Sequence, residues 1–254
     1  MCVMILYMED LGTLLKSMNP EDVRIKAEAG DVQAQYHLGM MYGQGINTRP
    51  DMDKAYYWML KAAQGGIVFA MNNVGYLLQH GLGCSQDQRS AFNWYLKAAD
   101  MGLPPALMNV YHCYSNGTGV EKDPAVAVKY LEKAADLPGF PEAKVALADF
   151  YWEQKRDADK MLFWYEKAIK EDHSAMAMFA LACNYSRGIG VKLDMRKANA
   201  LLRESADNGY GDAAMILAQQ FEQKNDYESA RKYYTIAARA GNRNAMAILI
   251  DQYQ

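Results

Sequence analysis

Few side chains in this sequence combine a reactive type with a spacing that chemistry needs. The histidines are His37, His80, His112 and His173, and the cysteines are Cys2, Cys84, Cys113 and Cys183. His80-Gly-Leu-Gly-Cys84 has a loosely ligand-like spacing, but a zinc site needs more ligands and no second pair stands beside it. His112 and Cys113 are neighbours in sequence. On one helix they point in different directions, which suits neither a nucleophile nor its base. Ser229-Ala-Arg-Lys232 has the Ser-x-x-Lys spacing of an acyl-transfer serine, without the Ser-Asp-Asn or Lys-Thr-Gly that would complete such a site. Gly81-x-Gly83, Gly117-x-Gly119 and Gly188-x-Gly190 resemble phosphate cradles, yet no strand pattern precedes them and no Gly-Lys-Ser/Thr follows. Residue by residue, the chain reads as no enzyme, with no catalytic, cofactor or metal site.

Composition narrows the class further. With 51% hydrophobic and 22% charged residues over 254 positions, the chain has the apolar surface that an ordered fold requires. Lys+Arg 27 against Asp+Glu 30 leaves a charge of -3, without the basic excess that a nucleic-acid partner demands. The longest apolar runs, Met1–Met8 and Ala175–Cys183, fall short of the roughly 20 residues of a membrane-spanning helix. Met1–Met8 has no Lys or Arg ahead of it and runs into Glu9 and Asp10, a poor signal peptide; Met8 is an alternative start. Four scattered cysteines without a Cys-x-x-Cys pair read as reduced thiols, so the cytoplasm is the expected location.

The elements that position these residues repeat. Alanines at 34, 70, 106, 143, 177, 213 and 245 stand 36, 36, 37, 34, 36 and 32 residues apart. From each, a small, apolar, small, aromatic order recurs at +0, +4, +5 and +8, as in Ala34, Leu38, Gly39, Tyr42 and in Ala70, Val74, Gly75, Leu78. That is one stripe of a helix, with small residues where a partner helix approaches. Tyr111 and Ile250 stand at the +5 position and predict wider crossings.

A second helix follows in each unit, marked by Ala55…Trp58…Lys61-Ala62-Ala63 and its later copies. Four residues ahead of it stands an aspartate: Asp51, Asp87, Asp123, Asp157, Asp194 and Asp226. Successive helix pairs lie on the order of 10 Å apart and carboxylate–metal bonds are about 2.0–2.6 Å, so these are helix caps and not a metal array. Trp58, Trp94 and Trp164 share one core-side position, and Lys61, Lys97, Lys133 and Lys167 form a solvated row. The fourth and sixth units are shorter, and because the second helix keeps its frame relative to Asp157 and Asp226, the missing residues come from the turn.

The chain therefore divides into capping helices at 1–30, a degenerate repeat with Leu11, Leu14, Leu15 and Met18 as a short first helix, then six helix-pair repeats over 31–241. A closing helix occupies 242–254.

Ala106 to Ala135, with Gly117, Gly119, Val120, Asp123 and Ala127, resembles the Sel-one-like repeat, a relative of the tetratricopeptide repeat; Ala34 to Gly66 is another copy. The resemblance covers about residues 19–254. It implies an all-α fold, a right-handed α-solenoid of stacked antiparallel helix pairs whose first helices line a concave face. It implies a scaffold or adaptor, commonly bacterial. Some secreted relatives carry a cysteine pair in each repeat and are linked to β-lactam binding or hydrolysis; this chain lacks those pairs.

If the register follows tetratricopeptide repeats, concave positions fall near -1, +2, +6, +9 and +10 from each alanine. They yield Tyr36 and Met40, then Phe69, Asn72, Tyr76 and Gln79. Met108, His112 and Asn116 follow, and then Trp152, Phe179 and Arg187. Amides can meet an extended peptide backbone, and aromatic and methionine side chains supply adaptable pockets. The function expected is a non-enzymatic scaffold for a protein or peptide segment, without cofactor, as a monomer or weak homo-oligomer. Its rivals are a β-lactam-type hydrolase and a self-associating regulator.

Overall fold

The structure is a computed structural model, and it describes residues 11–253. All regular structure among them is helical. The chain forms two compact units, one ending at Phe140 and the other beginning at Pro141. In the first unit α1 covers residues 11–17, followed by α2 (Pro20–Glu28), α3 (Val32–Gln44), α4 (Met52–Gln64), α5 (Val68–His80), α6 (Gln88–Asp100), α7 (Pro104–Asn116) and α8 (Pro124–Ala135). The second unit holds α9 (Pro141–Lys155), α10 (Ala158–Asp172), α11 (Ala175–Arg187), α12 (Met195–Asp207), α13 (Gly211–Glu222), α14 (Tyr227–Arg239) and α15 (Arg243–Gln252). Within each unit consecutive helices pack as pairs, and the pairs stack as an α-solenoid.

The six aspartates start the second helices. Asp51 accepts from the Lys54 amide at 3.0 Å, Asp87 from Ser90 at 2.9 Å and Asp226 from Ser229 at 3.1 Å. Asp123, Asp157 and Asp194 cap in the same way. Those backbone bonds are the first reason that the Asp51 and Asp87 carboxyls sit below the usual range.

The small residue at +5 seats a side chain from the partner helix. A Cβ added at Gly75 would lie 2.7 Å from the Tyr95 ring, and one at Gly39 would lie 3.0 Å from Met59 Cγ. Met59 and Tyr95 occupy the same position of α4 and α6, so the two pairs repeat one contact.

The turns follow the expected grammar with one addition. Gly81 ends α5 in the left-handed region at φ +67°. Gly83, also left-handed, has no room for a side chain, since its Cβ would stand 1.9 Å from the Met52 carbonyl oxygen at the start of α4. Gly119 repeats that approach against Gln88 O, one helix pair later. In the shorter fourth repeat α9 and α10 are joined by residues 156–157 alone, and Arg156 takes the left-handed turn at φ +53°. Asn225 does so between α13 and α14, at φ +60°.

At the N-terminal side Leu15 is fully buried, and Asn47 Nδ2 donates to the carbonyls of Leu15, Lys16 and Met18 at 3.0 Å each. Asn19 caps α2 ahead of Pro20. The apolar stretch Met1–Met8 lies outside the described residues. At the other end Ile248, Leu249 and Tyr253 rest partly buried on the α13–α14 core, while Met246 and Ile250 face solvent.

Candidate protein-binding face

Helix periodicity puts Phe69, Asn72, Tyr76 and His80 on one stripe of α5, and Met108, His112 and Asn116 on one stripe of α7. A hydrogen bond joins the two helices, Asn109 Nδ2 donating to Asn72 Oδ1 at 2.8 Å. Asn72 is buried, so its amide serves this link between helices before it can serve a ligand. The rings around it are open: Phe69 is 43% and Tyr76 50% exposed. Tyr76 lies against the His80 ring, centroids 4.2 Å apart, and its carbonyl is 2.9 Å from His80 Nδ1. His112 keeps an edge in water, while desolvation on its packed side holds the imidazole below the usual histidine range. Met108 is half-buried and Asn116 exposed.

The remaining positions divide by their surroundings. Tyr36 and Met40 on α3 are buried, and burial pushes the Tyr36 hydroxyl up to about 12. Gln79 accepts from the Tyr95 hydroxyl at 2.9 Å. In the second unit Trp152 is half-buried with the Arg156 guanidinium over its ring, Phe179 packs on Tyr210 at 5.1 Å, and Arg187 is exposed.

Sequence reasoning missed the reason for Gln79. The position that holds Tyr95 in α6 holds Tyr165 in α10 and Tyr234 in α14. Each buried hydroxyl finds an acceptor on the first helix of its own pair: Gln79, Asp149 and, at 2.8 Å, Glu222. The signal was there as a tyrosine in every second repeat, because a buried phenol needs a partner. Lys144 was missed as well; it is 1% exposed and bonded to Asp172 and Glu171 in the last turn of α10. The lysine row does more than meet solvent. Lys97 stands 4.4 Å over Trp94, Lys133 5.0 Å over Tyr130 and Lys167 4.6 Å over Trp164, so each covers an aromatic ring one turn earlier.

The reactive-looking sets are otherwise engaged. The six aspartates are caps. Lys232 bonds to Asp207 at 3.0 Å, and that bond raises its ammonium above the usual lysine range, away from what a general base beside Ser229 requires. Burial pushes the Cys113 thiol up to about 11, away from a nucleophile. No helix among the described residues is long and apolar enough to cross a membrane.

The family model described as the Sel1 repeat matches residues 32–67, 68–103, 106–138, 141–173, 175–210 and 212–242. This chain belongs to the Sel1 repeat family. A Sel1 repeat protein from Oxalobacter formigenes superposes with a TM-score of 0.69 at 26% identity, over 87% of this chain and all of that one. The c5321 protective antigen of uropathogenic Escherichia coli strains, which displays an SLR fold, superposes with a TM-score of 0.57 at 30% identity, over 93% of this chain and 60% of its own. A sel1-like repeat-containing protein of Acanthamoeba polyphaga mimivirus is 46% identical over 43 residues, 17% of this chain and only 7% of that protein. Sel1 repeats mediate protein interactions, and their solenoids are typically non-enzymatic scaffolds.

Proposed function

We propose that this Sel1 repeat protein is a scaffold or adaptor without enzymatic activity that holds a segment of another protein on the faces of its first helices. Nine of the twelve positions named for that face lie on α3, α5 and α7: Tyr36, Met40, Phe69, Asn72, Tyr76, Gln79, Met108, His112 and Asn116. Trp152, Phe179 and Arg187 are their counterparts in the second unit. One observation carries the reading. Phe69 and Tyr76 leave large rings in water on a helix whose Ala70, Met71, Val74, Leu77 and Leu78 are all buried. Exposed rings bordered by polar groups mark surfaces that gain by being covered. We place the protein in the cytoplasm of a bacterium, acting as a monomer or weak homo-oligomer. The use of Cys113 as a buried packing residue is compatible with a reducing compartment.

Affinity capture with the full chain, followed by mass spectrometry, tests the reading. Tyr76→Ala should weaken the captured complex by about 1–3 kcal/mol, the range of an interface hot spot. Lys97→Ala, on a second helix, should leave it intact. Unchanged binding by both Tyr76→Ala and Asn72→Ala, or a loss that only tracks unfolding, refutes the reading.

A further inference from the structure

The fifth repeat, α11 and α12, breaks a pattern that the other five keep. Seven residues after the capping aspartates stand Trp58, Trp94, Tyr130, Trp164, Leu201 and Tyr233, so the fifth alone is aliphatic. The third and sixth repeats show what a ring does at this place. Tyr130 stacks on Tyr114 of its own first helix, centroids 5.9 Å apart and planes 17° from parallel. Tyr233 stacks on Phe221 at 5.6 Å and 4°. Tyr185 of α11 holds the position of Tyr114 and Phe221, and the matching position of α12 is Leu201.

A cavity of about 310 Å³ opens beside both of these side chains. Ile169 of α10 and Leu181 of α11 extend its apolar lining, Leu181 buried and Ile169 half-buried. Glu166 of α10 and Lys197 of α12 are its exposed, charged margin, and the Lys197 ammonium is already placed 5.1 Å over the Tyr185 ring. A second position changes along with the first. Three residues after the ring, Lys61, Lys97, Lys133 and Lys167 cover the aromatic side chain of their own repeat, whereas the fifth repeat has the exposed Glu204. A ring face repels a carboxylate and attracts a cation. The fifth repeat thus holds neither half of the ring–lysine pair and presents the carboxylates of Glu166 and Glu204 instead.

We propose that this pocket takes an aromatic side chain of a partner protein with a lysine or arginine beside it. The ring enters against Tyr185 and Leu201, and the cation meets Glu204 and Glu166. Such a ring makes the stacked contact that the chain makes for itself in the third and sixth repeats, and it removes Ile169 and Leu201 from water. Its cation gives the cover that a lysine gives elsewhere, with charge complementarity from the two carboxylates. The site belongs to the second unit and adds a second contact surface to the scaffold reading without depending on Tyr76.

The test titrates the full chain with tryptamine, indole and indole-3-acetate, following assigned isoleucine and leucine methyl groups by nuclear magnetic resonance. Tryptamine, an indole with an ammonium, should move the methyls of Ile169, Leu181 and Leu201 and bind tightest. Indole should move the same methyls with lower affinity, and indole-3-acetate should bind weakest. A short Gly/Ser peptide with one Trp-Lys pair should bind at least as tightly as tryptamine. Leu201→Trp supplies the ring from the chain itself and should weaken tryptamine about tenfold or more, with the helical circular dichroism spectrum unchanged. Glu204→Lys, at an exposed position, should weaken tryptamine about two- to fivefold and leave indole unchanged, which keeps the test decisive if Leu201→Trp does not fold. Indole-3-acetate binding as tightly as tryptamine, no movement of these methyls at millimolar tryptamine, or a folded Leu201→Trp chain that binds as the parent does overturns the inference. Tryptamine binding without peptide binding assigns the pocket to a free aromatic amine and overturns the partner assignment. Each of these results leaves capture through Tyr76 standing or falling on its own test.

Discussion

Gly81 and Gly83 sit in one loop with nearly the same backbone angle, φ +67° and +68°, but in different space. A Cβ at Gly81 would meet nothing nearer than Gln86 Cβ at 3.4 Å, an ordinary contact. A Cβ at Gly83 would stand 1.9 Å from Met52 O, 2.3 Å from Met52 C and 2.8 Å from Asp53 N, all backbone atoms at the start of α4. Gly81→Ala therefore pays about 1–2 kcal/mol for a left-handed alanine. It recovers about 0.4–1 kcal/mol through a less flexible unfolded chain, for a net loss of about 1 kcal/mol. Gly83→Ala pays the same and must also push the loop off α4, an overpacking cost of about 1–3 kcal/mol, for a total near 3 kcal/mol. Urea unfolding followed by circular dichroism measures both, and the gap corresponds to about 4–8 °C in Tm for a chain of this size. Asparagine, which tolerates the left-handed region, should relieve most of the loss at Gly81 but only the backbone share at Gly83, where the clash with Met52 remains. Equal losses for the two alanine variants, within about 0.5 kcal/mol, would refute the claim that the loop is seated on the start of α4.

Tyr95→Phe should cost about 0.5–1.5 kcal/mol, the net value of its bond to Gln79, and urea midpoints read it directly. Deletion of residues 242–254 should uncover the apolar side of α13 and α14 on which Ile248, Leu249 and Tyr253 rest; light scattering should show aggregation, and a truncated chain as soluble and stable as the parent denies α15 a capping role. His37 and His112 are both held below the usual histidine range by desolvation, with Asp31 opposing it at His37. A folded pKa below the unfolded one means that the unfolded chain binds more protons as pH falls. Their contribution to stability is thus complete above about pH 6.5 and is lost as pH drops through the lowered values. A pH series of unfolding midpoints that rises on going below pH 6 would contradict it, and His112→Gln should flatten the slope.

Much of the architecture was legible because its causes are local. An aspartate cap bonds an amide two or three residues on, a left-handed glycine ends the helix it follows, and a lysine covers the ring one turn before it. Asp87 with Ser90, Gly81 after α5 and Lys97 over Trp94 are all of this kind. The lysine contacts were within reach of the same reasoning, since Lys97 follows Trp94 by three residues, yet spacing alone read them as a solvated row. The shortened turns were legible too, because Asp157 and Asp226 mark the frame on the far side of each deletion.

What spacing could not decide was which side chains of the first-helix face are spent on the fold. Asn72 and Tyr76 stand four residues apart on one stripe, and the sequence by itself treats them alike. Asn109, 37 residues away, takes up the Asn72 amide, while Tyr76 stays half in water. Gln79 is claimed by Tyr95 from 16 residues away, and Lys144 is buried against Asp172 at a separation of 28. Such partners are set by how far one helix slides and rotates on its neighbour. A shift of one residue turns a helical side chain by about 100°, so a repeat pattern that names the face leaves its buried and open members unassigned. The sequence determined the repeat, its caps and its turns, because each depends on residue type and near neighbours alone. Only tertiary packing decided that the Phe69 and Tyr76 rings stay exposed, because burial is a property of helices meeting.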